Sequence, residues 1–247
     1  MPTLWVVMPV YNEPATLGES ASRSLAAPLP EGWRTRLILI DDGSNDGTAA
    51  EVARLGAGDG AIALFHPQNR GKGAAIRTGF AHALELSAPD DAILVQDADL
   101  EYDAADFAGL LAPAMRGEAD VVLGNRWADR PQGLKRTAHR LLNGFLTVSS
   151  NLTTGLAVRD MECCLKLFTI PAMRTILPDL DEERFGIEPQ IVASAARHAL
   201  RVAEAPVSYR PRSFEEGKKI RMKDGLRVFV VLWRERRRTR RMRRASR

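Results

Sequence analysis

Five short apolar runs, each running into a cluster of polar residues, constrain what this chain can fold into more than any other feature. They are Leu4–Met8, Leu37–Ile40, Ala61–Phe65, Ile93–Val95 and Val121–Leu123. Their length and β-branched content predict strands buried on both faces, as in a largely parallel sheet. Segments with helical spacing lie between them: Ile76, Phe80, Ala83 and Leu84 form one stripe, and Phe107, Leu110, Leu111 and Met115 another. Strand alternating with helix predicts βαβ units with right-handed crossovers, and so an α/β chain with a Rossmann-like α/β/α sandwich. The length of 247 residues suffices for one substantial domain, and 45% hydrophobic residues exclude a disordered chain.

The pattern changes after Arg126. Pro131 and Gly133 mark a loop, Leu134 to Ser150 reads as an amphipathic helix, and a strand is expected near Leu165–Phe168. A helix near Pro189–Ala199, a strand near Arg201–Val207 and a last helix from about Asp224 follow. These divide the chain into a body over 1–222, with halves at about 1–126 and 127–222, and a basic helix and tail over 223–247.

The net charge of +4 is unevenly spread. Nine arginines stand between Arg234 and Arg247 against Glu235 alone, a local balance of +8 that leaves the rest at −4. Such a tail is either a solvated end or a surface for anionic lipid headgroups or nucleic acid. The apolar stripe Leu226, Phe229, Val230 and Trp233 precedes it, so the helix can pack on the body or lie in a membrane interface. No run of about 18 apolar residues occurs, so no transmembrane helix is expected, and Met1–Val10 reads as a first strand rather than a signal peptide. The two cysteines, Cys163 and Cys164, are adjacent, which disfavours a disulfide and points to a reducing cytoplasm.

Ligands of doubly wound sheets bind outside the carboxyl ends of the strands, and the polar signals fall there one after another. The first run leads into Pro9-Val10-Tyr11-Asn12-Glu13, the second into Asp41-Asp42-Gly43-Ser44-Asn45-Asp46-Gly47-Thr48, and the third into Asn69-Arg70-Gly71-Lys72-Gly73. The fourth ends in Gln96-Asp97-Ala98-Asp99-Leu100-Glu101, the fifth in Gly124-Asn125-Arg126. At a strand end, Asp97 and Asp99 can turn both carboxylates to one point, where hard oxygen ligands suit Mg²⁺ or Mn²⁺ and a diphosphate. One acid could equally cap a helix while the other is solvated; five convergent strand ends favour the metal. Of Asp41 and Asp42, one carboxylate would accept from a nucleotide base or ribose, with Ser44 and Asp46 capping the next helix. The glycines around Lys72 let backbone approach a phosphate, although the Walker A spacing is missing.

This ordered series of motifs resembles a family-2 glycosyltransferase of the GT-A fold, and is most similar to dolichyl- or polyprenyl-phosphate mannosyl- and glucosyltransferases. The segment Pro206 to Ile220 looks like that branch's basic loop, and the resemblance runs from about Val6 to Gly225. It implies that Pro9, Tyr11, Glu13 and Asp42 line a nucleoside pocket in the first half. It further implies that Asp97 and Asp99 hold a divalent metal on the donor diphosphate, with Glu101 at the metal's edge. Arg126 would contact a phosphate, and Arg212 with Lys218 would face the acceptor phosphate or the diphosphate. Asp160 to Cys164 would form an acceptor-side loop, its cysteines packing residues rather than nucleophiles.

The implied activity is inverting transfer of a hexose, mannose or glucose, from a GDP- or UDP-sugar to a polyprenyl phosphate at the cytoplasmic face of a membrane. A phosphate acceptor needs little help from a base; an alcohol acceptor needs one, for which Glu188 is the candidate. The competing reading of Glu188 is an N-cap before Pro189. A soluble or saccharide acceptor is the second reading, and nucleic-acid binding through the arginine tail the third; the last leaves the strand-end motifs unexplained. Many polyprenyl-phosphate enzymes carry C-terminal transmembrane helices, which this sequence lacks, and the basic helix offers peripheral docking instead. Missing too is a Gln-x-x-Arg-Trp segment, which argues against a processive synthase.

Overall fold

The computed structural model describes residues 1–128, 137–212 and 222–245. The elements, in chain order, are β1 (Thr3–Val10), α1 (Leu17–Leu25), β2 (Arg34–Asp41), α2 (Thr48–Gly56), β3 (Ala61–Phe65), α3 (Lys72–Leu86), β4 (Ala92–Val95), α4 (Phe107–Met115) and β5 (Val121–Asn125). Then come α5 (Thr137–Thr154), β6 (Lys166–Thr169), α6 (Ile170–Ile176), α7 (Ile187–Arg197), β7 (Val202–Pro206) and α8 (Met222–Ala245). All five predicted strands form. Leu4, Val6, Val7 and Met8 of β1 and Leu37 to Ile40 of β2 are buried whichever face they point to, as expected of strands covered on both sides.

One seven-stranded sheet results, in the order β3-β2-β1-β4-β6-β5-β7. Pairings among β1 to β4 are parallel, in register from Val10 opposite Asp41 to Val7 opposite Val95. The order grows outward from β1 to β3 and then reverses to β4. A right-handed crossover therefore puts α3 on the opposite face from α1 and α2. Gly79 lets α3 lie close on the sheet, because a Cβ there would stand 2.4 Å from Val7 Cγ1 and 2.8 Å from Ile40 Cδ1.

In the second half, β6 runs antiparallel between β4 and β5, and β7 pairs parallel with β5. Local pattern predicts these strands but not their places. The helix expected from Leu134 begins at Thr137 among the described residues and continues to Thr154. Helix α7 starts before Pro189, since proline is tolerated in a helix's first turn, and it ends before Ala199, which has a left-handed φ of 53°. Helix α8 docks its basic side on an acidic loop: Arg234 and Arg238 reach Asp181 at 2.8 and 2.5 Å, and Arg227 reaches Glu182 at 3.1 Å. Its buried Glu235 is held by Arg197 and Arg238.

Candidate active site

Strand order changes direction between β1 and β4, the place where open α/β sheets bind ligands. Glu13 follows β1 there, and Asp97 and Asp99 follow β4. Both loops hold a non-glycine residue in the left-handed region, Asn12 at φ 51° and Leu100 at φ 59°. Asparagine tolerates this; leucine does so only where its surroundings enforce it, a strain typical of functional loops. The turn at Leu100 brings the Glu101 amide back to donate to Asp99 Oδ1 at 3.1 Å.

A second long-range feature closes the site. Tyr102 forms an antiparallel bridge with Tyr209, their rings 5.3 Å apart, and the Arg210 amide donates to the Glu101 carbonyl at 2.8 Å. The segment after β7 is thereby carried across the β4 loop. The Arg212 amide donates to Glu101 Oε1 at 2.7 Å, and its guanidinium grips Glu13 at 2.9 and 3.1 Å and Asp99 at 3.3 Å.

From the other side comes Lys72, the first residue of α3. Its Nζ lies 2.8 Å from Asp97 Oδ2 and 3.3 Å from Glu188 Oε1. The glycines beside it are required: a Cβ at Gly71, whose φ is 100°, or at Gly73 would fall 2.4 Å from the carbonyl oxygen of Glu183 or Glu182. Burial opposes the charge on Lys72, yet Asp97, Cys164 and Glu188 hold its ammonium well above the ordinary lysine range. Asp99 moves oppositely. Burial, with Asp97 and Glu101 nearby, pushes its carboxyl up to about 7 against the pull of the Glu101 amide and Arg212.

This donor set fits a hard divalent cation. Mg²⁺ and Mn²⁺ sites commonly use one or two carboxylates and complete their shell with water and substrate phosphate. Asp97 and Asp99 offer two, and the burial and neighbouring carboxylates that raise Asp99 would be offset by a bound cation. Among the described residues no group of three or more His, Cys, Asp or Glu side chains is arranged to hold a metal. A metal held by Asp97 and Asp99 would complete its shell with water and phosphate oxygens, and Glu101 spends one oxygen on the Arg212 amide.

Other expected site residues fall in different surroundings. Pro9 and Tyr11 are half-buried at the end of β1. Asp42 is buried and faces inward: its carboxylate accepts from the Arg70 and Gly71 amides at 2.9 and 2.7 Å and contacts His66 Nδ1 at 2.7 Å. It fixes the loop that presents Lys72. Asp41 Oδ2 accepts from the Ser44 amide at 3.2 Å, whereas its buried Oδ1 has no hydrogen-bond partner. Arg126 is buried and paired with Asp160 through two 2.7 Å contacts, with Asn143 at 3.3 Å, and lies over the Tyr209 ring. Lys218 lies outside the described residues. Gly47 is the N-cap residue of α2, and Asp46 Oδ1 accepts from the amide of Thr48, the first residue of the helix, at 3.1 Å; Ser44 Oγ instead accepts from the Asn12 amide at 2.9 Å.

Glu188 is not an N-cap either, for Gly186 occupies that position. Its carboxylate sits between Lys72 and Lys166, the latter fully buried and 2.5 Å away. Lys166 also donates to the Met161 carbonyl at 3.1 Å and to that of Cys163. Lys166 carries no mark in the sequence, because a lysine in a short apolar run looks like an exposed edge residue. Glu162 was likewise no more than part of a loop. Burial, with Glu188 nearby, pushes its carboxyl to about 7 against Lys166, and its Oε1 has no hydrogen-bond partner. Cys163 and Cys164 are free but buried, which drives the first thiol up to about 12 and the second well above its ordinary value. Neither is poised as a nucleophile.

Residues 5–185 match the model of glycosyl transferase family 2. The chain belongs to that family. As a family-2 glycosyltransferase it is an enzyme, and its mostly parallel sheet is the GT-A, Rossmann-like α/β fold. It is 31% identical over 206 residues to an uncharacterized protein of Methanocaldococcus jannaschii, MJ1222, covering 83% of this chain and 80% of that one. It is 33% identical to the undecaprenyl-phosphate 4-deoxy-4-formamido-L-arabinose transferase of Edwardsiella ictaluri, over 86% of this chain but 62% of that protein's length. With the glycosyltransferase AglD of Haloferax volcanii the identity is 30%, over 84% of this chain and 33% of that one. A glucosyl-3-phosphoglycerate synthase of Mycobacterium tuberculosis, solved with Mn²⁺, UDP and phosphoglyceric acid, shares the fold at TM-score 0.67 and 20% identity, over 95% of this chain and 78% of that one.

Proposed function

We propose that this glycosyltransferase moves a hexose, mannose or glucose, from a GDP- or UDP-linked donor to a polyprenyl phosphate, inverting the anomeric carbon. One observation carries the reading. Asp97, Asp99, Glu101 and Glu13 meet at the switch point of the sheet, with Lys72 and Arg212 reaching in from opposite sides. Mg²⁺ or Mn²⁺ held by Asp97 and Asp99 would offset the charge of the donor diphosphate as it leaves. Lys72 and Arg212, already at those carboxylates, would face the same oxygens. Asp41, with its buried unpartnered Oδ1 beside the end of β1, is the better acid for a nucleoside than Asp42.

The surroundings of Glu188 support this choice of acceptor. Both oxygens of Glu188 face a lysine, Oε1 towards Lys72 and Oε2 towards Lys166, which supports an acceptor that is ionised before it reacts, as a phosphate monoester is. Relatives named as undecaprenyl-phosphate sugar transferases support the same choice. No helix among the described residues is long and apolar enough to cross a membrane, and surface docking is one way to reach a lipid acceptor. The exposed arginines of α8, against the anionic cytoplasmic leaflet, would provide it.

The test supplies labelled GDP-mannose or UDP-glucose, Mn²⁺ and a short polyprenyl phosphate, followed by extraction into organic solvent. Label should enter the organic phase and vanish with Asp99→Ala. Donor hydrolysis without lipid product would move the acceptor to a soluble or saccharide class, and undiminished turnover of Asp99→Ala would refute the metal assignment.

A further inference from the structure

Helix α5 is amphipathic the wrong way round for a protein surface. Its inward residues include Asn143, Thr147 and Ser150, all buried, with Leu146 as the apolar exception. Outward, Leu141, Phe145, Val148 and Leu152 are exposed by 68, 60, 56 and 80%. Their spacing of four, three and four residues is one helical stripe, about 16 Å long at 1.5 Å per residue. Soluble helices bury such a stripe; one left outward marks an interaction surface.

The stripe is continuous with α8. Phe145 meets Phe229 with ring centroids 5.7 Å apart, and the exposed side of α8 carries Val230 and Trp233, with the Arg237 guanidinium 4.3 Å over the Trp233 ring. One turn onward the same side becomes basic, through Arg240, Arg241 and Arg244, all exposed. At the other end, Arg140 and Arg159 line a cavity of about 250 Å³ with Trp127, Asn125, Asn143 and Gly144. The buried Trp127 indole N–H has no hydrogen-bond partner. Acidic residues are few here among the described residues: α5 contains none, Glu235 of α8 is buried and paired, Glu204 accepts from the Arg159 amide, and Asp224 stands in the first turn of α8.

Resting on the reading of a membrane-borne acceptor, we propose that the α5–α8 face is a bilayer-docking surface, with Leu141, Phe145, Val148, Leu152 and Trp233 entering the lipid and the flanking arginines engaging anionic headgroups. A second copy of this chain is the poorer occupant, since self-pairing would set a face rich in arginine against itself with few acids to offset the repulsion. The apolar contribution makes this more than an electrostatic tail: part of the binding resists salt, because burial of apolar surface is not screened.

The experiment measures co-sedimentation with vesicles of phosphatidylglycerol and phosphatidylcholine at 3:7, free of polyprenyl phosphate, so that acceptor identity plays no part. The fourfold variant Leu141→Ser, Phe145→Ser, Val148→Ser, Leu152→Ser changes only exposed side chains, and its far-UV circular dichroism should match the parent. At 500 mM NaCl it should bind at least about tenfold more weakly than the parent. The variant Arg237→Ser, Arg240→Ser, Arg241→Ser, Arg244→Ser should lose binding chiefly at 100 mM. As an independent measure, vesicles with brominated acyl chains should quench parent fluorescence but quench Trp233→Phe much less. Equal binding of parent and fourfold serine variant at 500 mM overturns the proposal, as does equal quenching with and without Trp233. A parent dimer that the serine variant converts to monomer, with vesicle binding unchanged, assigns the face to self-association and overturns it too. Binding lost as expected while no label reaches lipid in the transfer assay leaves this surface standing and removes the acceptor reading instead.

Discussion

Asp99 carries a conflict whose size can be worked out. Burial and two neighbouring carboxylates move its carboxyl from an ordinary 3.8 to about 7. The folded state therefore holds the proton more tightly than the unfolded chain does, and ionising Asp99 destabilises the fold. That penalty is negligible below pH 3.8, grows as pH rises, and is complete above about 7. Three pH units at about 1.36 kcal/mol each set a ceiling of about 4 kcal/mol at pH 8. Asp99→Asn removes the charge while keeping an oxygen for the Glu101 amide; it gives up the attraction to Arg212 at 3.3 Å. In EDTA, urea denaturation should find Asp99→Asn more stable than the parent by about 2–4 kcal/mol at pH 8, the gap closing towards pH 4. Titrating groups remote from Asp99 occur in both proteins and drop out of the difference. Mn²⁺ should raise the parent's stability and leave the variant's nearly unchanged, while the variant loses transfer activity. A gap that does not vary between pH 4 and pH 8, or a variant less stable than the parent at pH 8, would refute the assignment of this strain to the Asp99 charge.

Other perturbations test the scaffold around that cluster. Lys166→Met strands Glu188 in the interior with Lys72 alone, and urea denaturation should show a loss of about 3–5 kcal/mol, part of it restored by adding Glu188→Gln. Gly71→Ala places a Cβ 2.4 Å from the Glu183 carbonyl at a φ of 100°; stability should fall by at least about 1 kcal/mol and the donor KM should rise, and a neutral outcome would show the loop to be pliable. Arg212→Lys keeps the charge but loses the two-pronged hold on Glu13, so transfer should drop on the order of tenfold, with little change in the urea midpoint.

The first half of the fold could be read from sequence because its information is local. Each apolar run is a buried strand, and the edge on which Asp97, Asp99 and Glu13 gather follows from alternation and handedness alone. The second half could not, because β6 finds its place between two strands 71 and 41 residues earlier, by pairings such as Leu94 with Leu167 and Leu123 with Lys166 that leave no local mark. The site divides similarly. Asp42 and Arg126 carry motif positions, yet motif alone cannot say that one spends its oxygens on backbone amides and the other on Asp160. Asp41 and Asp42 are both buried, and only their hydrogen bonds tell them apart: Asp42 spends its oxygens on the Arg70 and Gly71 amides, whereas one oxygen of Asp41 has no partner. Lys166 and Glu162 were hidden for the opposite reason: charged residues inside an apolar strand and beside a cysteine pair show their importance only when the burial around them is known.

The interposed β6 also bears on how the molecule is made. β5 ends near residue 125, but among the described residues its only strand neighbours are β6 and β7, both made more than 40 residues later. During synthesis the first four strands can associate as they emerge, while β5 must wait with both edges open until Lys166 to Thr169 arrives. Cutting the chain after residue 126 would therefore not release a self-sufficient nucleotide-binding module. It would leave an apolar strand, Val-Val-Leu, with nothing to pair to, the kind of edge that recruits other chains.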